Sequence, residues 1–272
     1  MSFFDDIYGH MTGKEIRLNR IRDPKSGNFL IVPMDHGVSI GPVDGLRDMK
    51  STISEIADGG GDAVLMQKGN LRQVPKEKAD EIGFIAHLNA STDLGEPNNK
   101  VVVGRAKEAL RRGADAVSLH INVGSETEPH QLEDLGEISD ECEKYGVPLA
   151  AMTYVRGPDV DSTDVDNLAH ATRMGAELGA DLVKTSYTGK PDEYRKVVEG
   201  CPVPVVIAGG PKADSKEEVL QDIRDAMDIG VSGTMMGRNV FQQDDVSGMV
   251  NAISGIVHRD KTVQEAMKDA GL

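Results

Sequence analysis

Short runs of apolar, largely β-branched residues recur along the chain, each bounded by glycine or proline. After each comes a stretch with apolar positions three and four residues apart, the spacing of an amphipathic helix. The runs predict strands over 29–36, 63–69, 83–90, 116–124, 148–156, 182–189, 204–210 and 233–241. They are nearly continuous in apolar residues, the pattern of strands covered on both faces, and their alternation with helices implies a parallel sheet. Helices are predicted over 101–112 and 215–229, among others. Asp214 or Ser215 supplies the N-cap of the second, with Glu217 and Glu218 in its first turn, where the helix dipole favours anions.

One junction repeats. GGGDAVLM, RRGADAVSLH, ELGADLVKTS and DIGVSGTMMG each end a helix in glycine (Gly61, Gly113, Gly179 and Gly230) and run into a buried strand. A left-handed residue is needed there, and glycine adopts that conformation without steric cost. Eight such units in about 240 residues predict an α/β fold of the TIM (β/α)8 barrel type, whose usual size is around 250 residues. An open doubly wound sheet is the competitor, but no good G-x-G-x-x-G follows the first strand. With no linker or break in composition, residues 1–272 read as one barrel domain with short extensions at 1–28 and 259–272.

Composition narrows the picture. With 5 Phe, 5 Tyr and no Trp, the core must be built from small aliphatic side chains. No apolar run approaches the ~18 residues of a membrane helix. The start, MSFFDDIYGHMTGKE, carries acids where a signal peptide carries a basic patch, so a cytoplasmic protein is expected. Cys142 and Cys201 have neither metal-type spacing nor a CxxC partner, which suits a reducing compartment. A net charge of −15 argues against nucleic acid as a partner, because phosphate binding needs basic surface. It fits a soluble or a salt-adapted acidic surface.

Barrel enzymes keep their chemistry at the C-terminal ends of the strands. Polar residues collect there: Asp35 and His36, Lys68, His87 and Asn89, His120 and Asn122, Tyr154 and Arg156, then Lys184, Ser186 and Tyr187. Lys184 stands out because it interrupts an apolar strand, sharing one face with Leu182 and Ser186. Burial disfavours an ammonium, and a free amine is the form that attacks a carbonyl to make a Schiff base. The alternative is a structural ion pair or a snorkelling lysine. Asp35 could move protons, with Tyr154 as its phenolic counterpart. The plainer readings are an N-cap or salt bridge for Asp35 and a core position for Tyr154. Gly209–Gly210 and Gly237–Arg238 end the last two strands, where barrels commonly build a phosphate site. Read alone, they are turns. His36, His87 and His120 invite a zinc reading, against histidines simply packed with a hydrogen-bond partner.

Together, PMDHGVSIGP, GADLVKTSYTG, VVIAGGPK and GRNVFQ resemble the archaeal-type class I fructose-bisphosphate aldolase family over nearly the whole chain. MDHGVS followed by GP is the finer marker, similar to its 2-amino-3,7-dideoxy-D-threo-hept-6-ulosonate synthase branch. The resemblance implies a metal-independent, cofactor-free transaldolase-type transfer on the way to 3-dehydroquinate and the aromatic amino acids. A fragment of 6-deoxy-5-ketofructose 1-phosphate would be joined to L-aspartate semialdehyde. It implies Lys184 as the Schiff-base lysine, Asp35 as base and Tyr154 as proton donor. Phosphate would rest on Gly209, Gly210, Gly237 and Arg238, with Asp35, His36, Gly37, Val38, Ser39, Tyr154, Val155 and Arg156 lining the rest. A homo-oligomer, often a decamer of two pentamers, is also implied. The segment 70–81 departs from the branch by lacking a glycine-rich, histidine-containing loop, which puts acceptor identity in doubt. Two rival readings remain: a class I fructose 1,6-bisphosphate aldolase, with Arg156 and Lys68 available for a second phosphate, and a non-catalytic sugar-phosphate-binding barrel.

Overall fold

A computed structural model describes residues 13–272. The first strands are β1 (Phe29–Pro33), β2 (Ala63–Gln67) and β3 (Gly83–His87). A short antiparallel pair follows, β4 (Asn89–Ala90) and β5 (Val101–Val102). Then come β6 (Ala116–Val123), β7 (Leu149–Val155), β8 (Leu182–Ser186), β9 (Val205–Ala208) and β10 (Gly233–Met235). All but β4 and β5 join in a closed parallel barrel, in the ring order β1-β10-β9-β8-β7-β6-β3-β2. Among the described residues, no helix is long and apolar enough to cross a membrane.

The two-residue period of the strands sorts the apolar side chains into two cores. Phe29, Ile31, Leu65, Ile85, Met152, Leu182, Val206 and Met235 fill the barrel. Leu30, Val32, Val64, Val117, Ala151, Val183 and Ile207 face the surrounding helices. Each such large side chain contributes roughly 1.5–3 kcal/mol when fully buried. Leu182 belongs to the inner core and Val183 to the outer, so the next residue, Lys184, faces the barrel interior.

The segment before β1 closes the N-terminal mouth of the barrel. Leu18 and Ile21 pack onto the inner core. Lys14 bonds Glu143 and Asp181, and Arg20 bonds Asp115. At Gly83 a Cβ would lie 2.2 Å from the Arg20 carbonyl oxygen, so only glycine lets the segment approach this closely. Residues 1–12, which begin the expected N-terminal extension, lie outside the described residues.

Several expected elements differ in detail. The stretch 101–112 is not one helix: Val101–Val102 pairs with Asn89–Ala90, and the helix occupies only Ala106–Arg111. Consecutive β-branched valines favour the extended form. Two strands end early and turn into short helices, His36–Ile40 and Arg238–Phe241. Between β2 and β3 the crossover holds two 3-10 turns, Leu71–Gln73 and Lys76–Lys78, separated by Pro75. At the first junction the left-handed residue is Gly60 (φ 86°) and not Gly61; Gly113, Gly179 and Gly230 are left-handed as expected, at 91°, 97° and 93°. Ser215 caps Lys216–Asp228, its hydroxyl accepting from the Glu218 N–H.

Candidate active site

The C-terminal ends of the barrel strands surround a cavity of about 780 Å³. Lys184 reaches into it from β8 and is only 7% exposed. The nearest recorded partner of its Nζ is the soft Met152 sulfur, at 3.8 Å. Register pairs Met152 with Lys184, so Tyr154, one inward step further along β7, overhangs the amine with its ring centroid 5.9 Å away. Among the described residues, the ion pairs that reach the cavity are those of Asp35 with His36 and His87. The structural ion pair that would have explained Lys184 away is not formed.

Asp35 follows β1 at the N-cap position of His36–Ile40, yet its side chain makes no capping bond. The carboxylate is left to the cavity, 3.8 Å from His36 Nδ1 and 3.8 Å from His87 Nε2. Burial opposes its ionisation, but His87, His36 and Lys184 around it hold the carboxyl below its usual range. Burial pushes His87 itself down to about 4, with Lys100 and Lys184 adding to the effect. His36 is lowered by burial and by Lys184 and Arg238. His120 falls well below its usual value through burial and the charges of Lys100 and Arg156. At neutral pH the imidazoles are therefore neutral.

A pH test follows. Because Asp35 stays ionised well below neutrality, the ratio of wild-type to Asp35→Asn kcat stays constant between about pH 8 and pH 5. A ratio that shrinks below neutrality would show Asp35 protonating there and contradict this electrostatic arrangement.

The histidines do not form a zinc site. His87 Nδ1 is 2.8 Å from Ser118 Oγ, and His120 Nε2 is 2.8 Å from Asn122 Oδ1. No group of three or more His, Cys, Asp or Glu among the described residues is placed to hold a metal ion.

Across the cavity, Gly209, Gly210, Gly237 and Arg238 line one wall. A Cβ on Gly237 would lie 2.7 Å from His36 Cε1 and 2.8 Å from the Pro33 carbonyl oxygen. Gly210 takes a left-handed φ of 63°. The Asn239 amide nitrogen donates to the Gly209 carbonyl at 2.6 Å, and Asn239 Oδ1 accepts from the Ala213 N–H at 2.8 Å, tying the two loops together.

Of the other expected residues, His36, Ser39, Tyr154, Val155 and Arg156 line the cavity, as do His87, Asn89 and His120. Gly37 and Val38 do not: in the helix His36–Ile40 they turn off the cavity side, and Val38 is exposed to solvent. Lys68 is bound to Glu108 at 2.9 Å and lies outside the lining. Nor does any of 70–81 line the cavity, so that segment is not what an acceptor would meet. That part of the wall comes from the loop between β4 and β5, through Asp93, Pro97 and Lys100. Sequence reasoning missed Lys100, which sits in no periodic element; its one signal was a lysine directly before an apolar run.

Known proteins fit this geometry. The DeoC/LacD aldolase family profile matches residues 29–243. The chain is 47% identical to the 2-amino-3,7-dideoxy-D-threo-hept-6-ulosonate synthase of Halobacterium salinarum, over 96% of this chain and 97% of that protein. It is 38% identical to the 2-amino-4,5-dihydroxy-6-oxo-7-(phosphonooxy)heptanoate synthase of Streptomyces griseus, over 95% of each. An archaeal fructose-1,6-bisphosphate aldolase, solved with its catalytic lysine covalently bound to the carbinolamine intermediate, superposes with a TM-score of 0.81 at 30% identity. That match covers 90% of this chain and 99% of that one. On the strength of the profile and the near full-length relatives, this chain belongs to the DeoC/LacD family of aldolases.

Proposed function

We propose that this chain catalyses the 2-amino-3,7-dideoxy-D-threo-hept-6-ulosonate synthase reaction, transferring a fragment of 6-deoxy-5-ketofructose 1-phosphate to L-aspartate semialdehyde. The observation that carries it is Lys184: inward-facing, free of a carboxylate partner, and set among Asp35, Tyr154 and a glycine-lined wall bearing Arg238. The Halobacterium relative supports the particular reaction.

Lys184 Nζ adds to the substrate ketone, and loss of water leaves an iminium. Asp35 takes the hydroxyl proton as the carbon–carbon bond breaks, and the bonding pair flows into the iminium to give an enamine. Hydroxypyruvaldehyde phosphate departs from the wall formed by Gly209, Gly210, Gly237 and Arg238. The enamine carbon then attacks the semialdehyde carbonyl, and Tyr154 protonates the new alkoxide. Water hydrolyses the iminium and frees Lys184. The proton gained by Asp35 restores Tyr154, so the cycle closes.

The branch resemblance further supports a homo-oligomer, of the two-pentamer kind, working in the cytoplasm. Cys142 and Cys201 are both free, consistent with a reducing compartment.

The test offers the 5-keto sugar phosphate with L-aspartate semialdehyde beside fructose 1,6-bisphosphate. Formation of the seven-carbon 2-amino acid product is expected. Efficient bisphosphate cleavage without transfer product overturns the proposal in favour of the aldolase reading.

A further inference from the structure

The unpaired cations of the cavity fall on opposite sides of the barrel. Arg238 follows β10, beside Gly209 and Gly210 after β9; Lys100 lies in the crossover from β3 to β6, and Arg156 directly follows β7. In the ring, β9 and β10 face β6 and β3, with Lys184 on β8 at the flank. Arg238 is accounted for by the donor's phosphate. Nothing in the reaction so far uses Lys100, although it is only 7% exposed.

A lysine is almost never this buried without a partner. Lys100 Nζ donates to Ser91 Oγ at 2.5 Å, and among the described residues no carboxylate pairs with it or with Arg156. The loop that carries it is fixed. The Asn98 carbonyl accepts from Asn122 Nδ2 at 3.0 Å, Gln131 Nε2 at 2.8 Å and Thr127 Oγ1 at 3.2 Å. On its other side, Val101–Val102 is locked to β4. Lys100 is thus held between two anchors, with its ammonium at the cavity. Its charge is felt by His87 and His120; burial and the like charge of Arg156 disfavour it, and Asp35 and Asp93 favour it from beyond ion-pair distance. A buried ammonium with no carboxylate in contact, beside the like charge of the solvent-facing Arg156, favours an anion that joins the two.

We propose that Lys100 and Arg156 bind the carboxylate of an α-amino acid acceptor, and that Asp93, at the cavity mouth, takes its ammonium group; this rests on the transferase reading above. The spacing suits it. The Arg156 guanidinium carbon is 4.8 Å from the Tyr154 ring centroid, and Lys184 Nζ is 5.9 Å from the same point. A four-carbon acceptor, whose ends are three carbon–carbon bonds or roughly 4 Å apart, would lie along the Tyr154 ring with its aldehyde toward the enamine and its carboxylate toward these cations. A second phosphate fits less well, because Asp93 would repel a dianion and complements a zwitterion. The named products of the Halobacterium and Streptomyces relatives are both 2-amino carboxylates.

The test compares L-aspartate semialdehyde with 3-aminopropanal, the same aldehyde without its carboxylate. Lys100→Gln, and separately the solvent-facing Arg156→Gln, raise the KM for the semialdehyde by about ten- to a hundredfold. In Lys100→Gln, constants for 3-aminopropanal stay within about twofold, and borohydride trapping of the ketose phosphate is undiminished. Equal losses with both aldehydes in Lys100→Gln, or an unchanged semialdehyde KM in both variants, overturn the assignment while leaving the transferase reading intact. Should the wild type cleave fructose 1,6-bisphosphate without transfer, and the variants raise its KM, both readings fail and the cations hold a phosphate.

Discussion

Lys184→Met yields a folded protein with no borohydride-trapped adduct at position 184 and a kcat/KM lower by about ten-thousandfold or more, a barrier increase of about 5 kcal/mol. Methionine nearly matches lysine's length, and the position lies against Met152 at the top of an aliphatic inner core. The substitution breaks no ion pair among the described residues; losing a buried amine and losing its support for the Asp35 carboxylate act in opposite directions. Thermal stability should therefore change little. The two measurements separate the readings of this lysine. Marked destabilisation would mean that it is a structural cation after all. A wild type that cannot be trapped with ketose phosphate would mean a silent binding barrel. A trapped adduct mapping to another lysine would leave the chemistry standing and move its site.

The barrel was legible because each strand is covered on both faces. Runs such as Phe29-Leu30-Ile31-Val32 and Ala63-Val64-Leu65-Met66 must be almost wholly apolar, and a polar interruption such as Lys184 becomes conspicuous. Asp35 and Tyr154 were legible by place, as the polar ends of such runs. What escaped was whatever depends on contacts between distant segments. Asp35 has the address of a helix cap, but in the folded chain its carboxylate makes no capping bond. Lys100 lies in a loop whose path is set by the Asn98 carbonyl meeting Asn122 and Gln131, and no local spacing encodes that meeting. Lys68 was misleading for the converse reason: it ends a strand as a site residue would, but Glu108 on a neighbouring helix captures it. The run of valines at 101–103 fits a helical count of apolar positions equally well, and pairing with Asn89–Ala90 decides it for a strand. Gly37 and Val38 are implied by the family resemblance, and in the helical turn His36–Ile40 they are not part of the cavity lining.

Tyr154→Phe keeps the trapped imine and slows turnover by about a hundred- to ten-thousandfold. The variant isolates one atom. The ring is fixed by its neighbours, with the His120 ring 4.8 Å away, the Arg156 guanidinium 4.8 Å and Lys184 Nζ 5.9 Å, and phenylalanine preserves each of these contacts. The hydroxyl makes none of the hydrogen bonds recorded among the described residues that hold the fold, so deleting it removes a proton donor and leaves the packing unchanged. Ketose-phosphate binding and iminium formation precede the step assigned to Tyr154, so adduct yield stays at the wild-type level and KM for the donor changes little. The loss falls on kcat for transfer, where an unprotonated alkoxide must return to aldehyde and enamine. Asp35→Asn should behave differently, since its base acts one step earlier: the imine accumulates but hydroxypyruvaldehyde phosphate is not released. Mixing each variant with donor alone and measuring the released fragment distinguishes the two, with release retained in Tyr154→Phe and lost in Asp35→Asn. If Tyr154→Phe failed to form the imine, the phenol would belong to carbinolamine dehydration, and the proton for the new alkoxide would have to come from the acid form of Asp35.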